Sequence, residues 1–362
     1  MKNLFKNFFA VMFLASLFSL SFTSCGDSDD DTVAPADKTA LLALIATNEA
    51  FVNSATDADY PADAIATFKS TVATIKTAAS SDLTELQVTN LTNQLEQARK
   101  LFDSKAYGAI PEEALLIGLD FDSADANELA TTGTRTLTAK LMAGPSEIFG
   151  TNTAKPTYVD GVKGGKAIKF ANGSHLEISN YVASDFLSNK LSIATWVKLD
   201  EVKAGNYIMS VNYWENWKFQ LQEQSKPFMT IKTSAGGVDA DNEMDQSAQV
   251  GQWVHLVVVY DLSAKKMFFY VNGALTKTWT DTEKPNLTGS MAAAYQSTIG
   301  KQLPLLIGAS TTYEEANAVW TGWQSWNSPT GWDCLSGALD NFKVYNIALD
   351  AGQVAKLYKD EK

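Results

Sequence analysis

The region from residue 115 to residue 362 most constrains the fold, because its apolar residues come in short runs that alternate with turn signals. Such spacing is typical of a β-sandwich or barrel. The run Val254–Tyr260 is almost wholly apolar, which indicates a strand buried on both faces. Asn272-Gly273 is a strong signal for a two-residue hairpin. Helical spacing is nearly absent until Asp350–Tyr358, so we predict a mainly β domain over residues 115–362.

Six segments of this β domain stand in an order that a known domain family shares. They are GGKAIKF (Gly164–Phe170), LSIATWVKL (Leu191–Leu199), GQWVHLVVVYD (Gly251–Asp261), MFFYVNGAL (Met267–Leu275), LLIG (Leu305–Gly308) and LSGALDNFKVYNIAL (Leu335–Leu349). This order resembles the laminin-G-like, concanavalin A-like lectin/glucanase domain. The resemblance implies a jelly-roll sandwich of two curved antiparallel sheets. It does not imply one function, because lectin-like modules, adhesive domains and β-glucanases share this fold.

The region from residue 37 to residue 107 is rich in Ala, Leu, Thr and Lys, and its apolar residues recur at helical spacing. Pro61 stands where it opens a second helix, and Asp82 with Glu85 has the spacing of a capping box. We predict three helices of about 15 to 24 residues in an antiparallel bundle. The pattern resembles the FIVAR-like three-helix modules that act as spacers in bacterial surface proteins. Residues 108–114 are predicted to be a linker.

The first 24 residues have the features of a bacterial export signal. Lys2 and Lys6 precede an apolar stretch that is too short to span a membrane and ends in Thr23-Ser24-Cys25. Small residues before a cysteine resemble a lipobox, in which Cys25 is acylated. The acidic residues of 25–36 resemble the export tag of surface lipoproteins in the Bacteroidota. An ordinary secretory signal with a chance cysteine is the alternative.

The composition excludes several classes of function. The chain has 29 Lys and Arg against 41 Asp and Glu, a net charge of −12, and cleavage before Cys25 makes it −14. An acidic chain repels phosphate backbones, so we expect no nucleic acid partner. Two Cys and two His are too few for a disulfide framework or a cysteine-based zinc site. With Cys25 acylated, Cys334 is predicted to be a free thiol.

The sequence does not contain the complete carboxylate motif of the glucanases that share the resembled fold. Their motif, Glu-x-Asp-x-(x)-Glu, places carboxylates on one face of a strand. The nearest match is Glu243-Met244-Asp245, which lacks the second glutamate and has turn-like flanks, including Gly236-Gly237. We interpret this segment as a solvated loop, His255 as a core or hydrogen-bonded histidine, and His175 as a strand or turn residue. The protein is therefore predicted not to be an enzyme.

Tryptophans in two polar segments are the candidate ligand-binding residues. Four lie in WTGWQSWNSPTGW, and a second cluster lies in NYWENWKF, whereas Trp196 and Trp253 belong to predicted core strands. Indole rings stack on the C–H faces of sugars, and neighbouring polar side chains bond to hydroxyls. A loop packed into the core is the alternative. The candidate residues are Tyr213, Trp214, Trp217, Trp320, Trp323, Trp326, Trp332 and Asp333.

A structural calcium ion is a second expectation, which follows from the resemblance. Many domains of that fold hold calcium near the chain ends, and Asp120, Asp122 and Asp340 resemble the family positions. Oxygen ligands suit calcium. Strand alternation would place Asp120 and Asp122 on the same face, which must then be the solvent face. No other cofactor is expected.

Together these features predict a lipid-anchored protein of the outer membrane, exposed at the cell surface. Its spacer is predicted to carry a lectin-like sandwich that captures a polysaccharide or other glycan through loop tryptophans. The only membrane contact is the lipid at Cys25, and neighbouring surface proteins of glycan uptake are expected partners. Two alternatives remain: a protein-adhesion or structural module without glycan binding, and a glycoside hydrolase with a rearranged carboxylate pair.

Overall fold

A computed structural model of the protein describes residues 36–57, 59–123, 127–211, 217–292, 303–319 and 333–362. The predicted signal peptide (residues 1–24) and all but the last residue of the predicted acidic tether (residues 25–36), including Cys25, lie outside these residues. By its internal contacts the chain divides into two compact units, residues 1–53 with 69–97, and residues 54–68 with 98–362. Within the described ranges, no helix is both long enough and apolar enough to cross a membrane.

Three helices precede the β domain, as predicted. They are α1 (Thr39–Ser54), α2 (Ala62–Ala79) and α3 (Glu85–Asp103). The apolar stripe of α1 buries Leu41, Ile45 and Val52. The capping box of α3 is formed by Thr84 and Gln87, whose side chains exchange hydrogen bonds with each other's backbone N–H groups, and not by Asp82 and Glu85. The prediction was wrong because the helix begins at Glu85.

Among the described residues, the β domain has two sheets of eight strands each, and the paired strands there are antiparallel. The first sheet has the order β14-β13-β12-β7-β16-β5-β4, and β1 also pairs with β16. Its strands are β1 (Leu115–Leu119), β4 (Thr157–Asp160), β5 (Lys166–Phe170), β7 (Lys190–Leu199), β12 (Trp253–Asp261), β13 (Lys266–Val271), β14 (Ala274–Thr280) and β16 (Gly337–Tyr345). The Asn272-Gly273 hairpin joins β13 to β14, and both of its residues have positive φ.

The second sheet has the order β11-β10-β9-β8-β15-β6-β3-β2. Its strands are β2 (Glu128–Ala130), β3 (Thr138–Met142), β6 (His175–Ile178), β8 (Asn206–Val211), β9 (Trp217–Leu221), β10 (Pro227–Thr233), β11 (Gly236–Asp241) and β15 (Leu305–Ile307). Strand β11 includes the glycine pair that the sequence analysis interpreted as a turn. That interpretation was wrong because Val238 and Ala240 alternate into the core and hold the segment against β10.

A large apolar core lies between the sheets. From β9 the core includes Trp217, Phe219 and Leu221. The intervening Lys218 and Gln220 lie on the opposite, outer face of the second sheet. In β12 almost every residue is buried, as its apolar run predicts. The predicted fold class, a mainly β sandwich with three N-terminal helices, is confirmed.

The outer face of the first sheet is covered by the last helix, α6 (Ala351–Glu361). Val354 and Leu357 of this helix share a buried cluster with Val257 and Tyr270. Trp196 is buried, but on this outer face rather than between the sheets. Trp253, at the start of β12, is only half-buried. Two shorter helices, α4 (Ser146–Phe149) and α5 (Tyr313–Val319), lie in the connections.

Candidate functional site

Most of the predicted ligand-binding aromatic residues fall outside the described residues. These are Tyr213, Trp214, Trp320, Trp323, Trp326 and Trp332. Trp217 is described, and the structure differs from the prediction for it. Its ring is buried in the core, with its centroid 5.6 Å from that of Phe186. Trp217 is the first residue of β9, so strand alternation turns it inward and leaves it unable to stack on a ligand.

The outer face of the second sheet carries a line of side chains that we call the polar row. One residue from each strand stands directly opposite the next, from β11 to β2. In this order the polar row is Asp239, Thr230, Lys218, Ser210, Leu306, Glu177, Lys140 and Glu128. Its two ends are exposed, whereas the four residues from Thr230 to Leu306 are buried. The polar row therefore has a buried centre and exposed ends.

Lys218 is at the centre of the polar row and its side chain is fully buried. Its Nζ lies 3.3 Å from the hydroxyl of Tyr207, and the rings of Tyr207 and Phe228 have their centroids 5.4 and 5.3 Å from it. Burial lowers the pKa of Lys218 to about 7, although the negative charges of Asp239 and Asp333 oppose that shift. The ammonium group is thus held between aromatic rings and near two carboxylates.

Gln220 follows Lys218 on the same face, opposite Tyr207 of β8 and Phe228 of β10. Its side chain is 4% exposed, and its Oε1 has no hydrogen-bond partner among the described residues. A buried acceptor without a donor costs free energy, so such atoms are uncommon in folded proteins. Gln220 is flanked by one buried aromatic residue on each side.

Asp333 adjoins this surface at the start of β8. A Cβ at Gly205, which immediately precedes β8, would collide with the Asp333 carboxylate. Burial raises the pKa of Asp333 to about 7, and the positive charges of Lys218 and Lys203 oppose that shift. Burial therefore favours the protonated form of this carboxyl group more than in an exposed aspartate.

The described residues also locate the ends of the two tryptophan segments. Residues 212–216 connect β8 to β9, beyond Val211. Residues 320–332 begin after α5 and end at Asp333, and Ala316 and Cys334 on either side share one buried cluster with Ala309. Asp333 lies beside Gly205, just before β8, and residues 212–216 follow the last residue of β8. Lys218 and Gln220 stand opposite Ser210 and Tyr207, between these two points.

The predicted calcium residues meet at a turn of the chain. Asp122 accepts a hydrogen bond from the N–H of Lys166 at 2.7 Å, and Asp340 accepts one from the N–H of Val162 at 2.8 Å. Asp120 and Asp122 are both exposed, because the residue between them, Phe121, has a φ of 63° and turns into the core. No three His, Cys, Asp or Glu side chains converge as a metal site in the part of the chain that the structure describes. The residues thus bring two carboxylates together at this turn but do not form a three-carboxylate cluster.

The other polar residues that the sequence analysis discusses lie in a loop, at the start of a strand and inside the first sheet. Glu243 and Asp245 lie in an exposed loop after β11, as predicted, where Asp245 is 3.7 Å from the ammonium of Lys226. His175 begins β6 and contacts Glu177 at 3.3 Å. His255 is fully buried in the first sheet, where burial and the charge of Lys343 lower its pKa to about 3.

Sequence reasoning missed Lys218, Gln220 and Asp239. The alternation in WKFQL contains the signal, since apolar residues at every second position send the intervening Lys and Gln to the outer face. The tryptophan at the start of that segment obscured the pattern, because it was grouped with the preceding loop. Asp239 was missed because its strand was interpreted as a turn.

A laminin G-type family model, described as the concanavalin A-like lectin/glucanases superfamily, matches residues 170–355, just over half of the chain. The chain belongs to this superfamily. The match covers β6 to β16 and therefore includes most of the polar row. A comparison with curated proteins finds no match.

Several solved structures are similar to the β domain of this superfamily member. Domain 4 of AbnA, an extracellular arabinanase from Geobacillus stearothermophilus solved in complex with arabinotriose, is 19% identical, with a TM-score of 0.45, over 68% of this chain and 100% of that one. The binding domain of Paraclostridial Mosquitocidal Protein 1 is 14% identical, with a TM-score of 0.45, over 68% and 52%. The binding domain of botulinum neurotoxin DC, in complex with rat synaptotagmin II, is 13% identical, with a TM-score of 0.46, over 69% and 52%. The chain thus spans about half of each toxin structure.

Proposed function

We propose that this superfamily member is a carbohydrate-binding protein that holds a glycan against the outer face of its second sheet. The observation that carries the proposal is that two tryptophan-rich segments adjoin β8, the strand beside Lys218 and Gln220. Sugars need flat apolar contacts and hydrogen bonds together, and the tryptophans of these segments with the polar residues between them are of the types that supply both.

The tryptophan segments support the same location. Residues 212–216 follow Val211 at the end of β8, and Asp333, which follows residues 320–332, lies beside Gly205 just before the start of β8. We infer that Trp323 and Trp326, with Tyr213 and Trp214, supply stacking surfaces beside the sheet. Trp217 has no such role because its ring is in the core.

The proposal includes a cell-surface location. We infer that Cys25 is acylated, that the acidic residues 25–36 direct export, and that the helices α1 to α3 separate the β domain from the outer membrane. A single binding surface of this kind is weak, and many anchored copies bind a polymer far more tightly by multivalency. Neighbouring proteins of glycan uptake are the proposed partners at the membrane.

Affinity electrophoresis in gels that contain plant or host polysaccharides tests the binding. We expect at least one polymer to retard the wild type, and Trp323→Ala and Trp326→Ala to reduce the retardation. Trp279→Ala is the matched control, because the Trp279 ring is already covered by Lys277 and Lys284, whose Nζ atoms lie 3.9 and 4.4 Å from its centroid. Lack of retardation by every polymer contradicts the proposal and favours a protein-adhesion module, which capture of a purified envelope or host protein would support.

A further inference from the structure

A cavity of about 870 Å³ lies beside the first sheet, and residues from the linker, β1, β16 and α6 contribute to its lining. All of its lining residues belong to the compact unit of residues 54–68 and 98–362. Its volume is within the range of about 300–1,000 Å³ that is usual for small-ligand sites. We propose that this cavity is a second carbohydrate site, which binds a short, uncharged oligosaccharide. The proposal goes beyond the proposed function, which concerns the tryptophan segments.

The cavity has an apolar floor. Tyr345 and Leu357 are buried and line it, and Leu115 stands directly opposite Tyr345 in the β1–β16 pair. Ile110 of the linker extends this apolar lining. A sugar ring places its C–H groups on apolar surface of this kind, as it does on aromatic rings in general. The floor therefore supplies the apolar half of a sugar contact.

The rim of the cavity carries charges that are paired with each other. Lys100 Nζ lies 2.6 Å from Glu112 Oε2, and Lys356 Nζ lies 2.7 Å from Asp360 Oδ2. The first pair is well exposed, so it contributes little to stability and is accessible to a ligand. The whole lining contains three lysines and three acidic residues. It therefore has no net charge with which to attract an acidic or a basic ligand.

Paired charges still have hydrogen bonds to offer. An ammonium group has three N–H donors and a carboxylate has about four acceptor positions, and a single contact uses one of each. A sugar hydroxyl both donates and accepts, so it bonds to the remaining N–H groups of Lys356 and to the remaining lone pairs of Asp360 without separating the two. An acidic ligand would instead bring a third negative charge beside each pair, and desolvating it there costs free energy.

The double variant Trp323→Ala/Trp326→Ala separates the cavity from the proposed tryptophan site. Ligand-detected NMR titrations measure its binding of xylotriose, mannotriose and cellotriose, with trigalacturonate as the acidic probe. We expect the double variant to bind at least one neutral trisaccharide and not to bind trigalacturonate. Binding of the neutral sugars by wild type but not by the double variant overturns this inference and leaves the proposed function standing. Binding of trigalacturonate alone also overturns it.

Wild type and double variant that bind a neutral trisaccharide equally well would support the cavity and remove the role of Trp323 and Trp326 in the proposed function. If neither protein binds any trisaccharide, the inference is wrong, and the retardation of wild type by polysaccharides decides the proposed function separately.

Lys356→Met, added to the double variant, tests the position of the site. It removes the ammonium group and keeps most of the side-chain length, so we expect about a tenfold loss of affinity for the neutral trisaccharide. Lys359→Met, the same change on the same helix but outside the lining, is the control and should bind as the double variant does. Thermal unfolding checks that both variants are folded, since neither residue is buried. Equal affinity of the Lys356→Met and Lys359→Met proteins overturns the assignment of the sugar to this cavity.

Discussion

The indole Nε1 of Trp196 donates a hydrogen bond to Glu361 Oε2 at 2.9 Å, which links the outer face of the first sheet to the last helix. Glu361 also pairs with Lys343 of β16 and is 8% exposed. Burial raises the pKa of Glu361, and Lys343 and Trp196 counteract this by stabilising the charged form. The carboxylate therefore fastens α6 to β7 and β16 together.

We expect Glu361→Ala to lower the free energy of unfolding by about 2 kcal/mol, because it leaves a buried indole N–H and an ammonium group without their acceptor. Urea unfolding monitored by fluorescence measures the change. Asp360→Ala, the neighbouring residue in an exposed pair with Lys356, is the control and should cost under about 0.5 kcal/mol. Equal stability of the two variants would show that the Trp196–Glu361 contact does not hold the helix.

The raised pKa of Asp333 predicts a dependence of stability on pH. Its pKa rises from the ordinary value of 3.8 to about 7 on folding because the group is buried. The folded state then binds the proton more tightly than the unfolded state, so this contribution to stability is present below about pH 4 and is lost as the pH rises through 7. Asp333→Asn should therefore gain stability relative to wild type between pH 5 and pH 8.

Urea unfolding at pH 5, 6.5 and 8 measures that gain. Asp160→Asn, which changes an exposed aspartate paired with Lys166, is the control and should differ from wild type by nearly the same amount at all three values. A difference between Asp333→Asn and wild type that is constant with pH would refute the assignment.

The sequence predicts the scaffold better than the site, for a physical reason. Alternation and turn chemistry are local properties, so the strands around Val254–Tyr260 and the Asn272-Gly273 hairpin can be located from neighbouring residues alone. The site depends on which strands become neighbours. Lys218 stands opposite Ser210 and Thr230 only because β8, β9 and β10 are adjacent in one sheet, and β15 joins that sheet from about ninety residues further along the chain. No local pattern contains that pairing.

Calcium should stabilise the β domain modestly if the superfamily site is retained at Asp122 and Asp340. The negative charge of Asp122 contributes to the rise of the Asp340 pKa to about 6, for which burial is the main cause, and a cation between them would remove that repulsion. We expect millimolar calcium to raise the unfolding temperature of EDTA-treated wild type by about 2–5 °C. Asp122→Asn should abolish the increase and Asp160→Asn should keep it. An unchanged unfolding temperature in wild type would show that the turn holds no calcium.

The protein should not hydrolyse the glycan that it binds. Glycosidases need a pair of carboxyl groups about 5 to 9.5 Å apart across the scissile bond. In the described residues the incomplete motif lies in a loop, where Glu243 is ion-paired with Lys277 and Asp245 faces Lys226. Incubation of the retained polymer with the pure protein should release no reducing ends over a day. Release that disappears in Asp333→Asn and Asp239→Asn would instead establish a rearranged carboxylate pair.

Anchoring depends on the thiol of Cys25, because a lipid attached there is the predicted membrane contact. When the full chain is expressed in a bacterium of the Bacteroidota that is fed a labelled fatty acid, the wild type should carry the label and sediment with the outer membrane. Cys25→Ala should lose both properties. The matched control, Cys334→Ala, should keep them, because Cys334 is a buried free thiol of the β domain.

Treatment of intact cells with a protease then tests exposure, since only a protein on the outer surface is degraded. Labelling of Cys25→Ala at the wild-type level, or full protection from the protease, would contradict the surface-lipoprotein assignment.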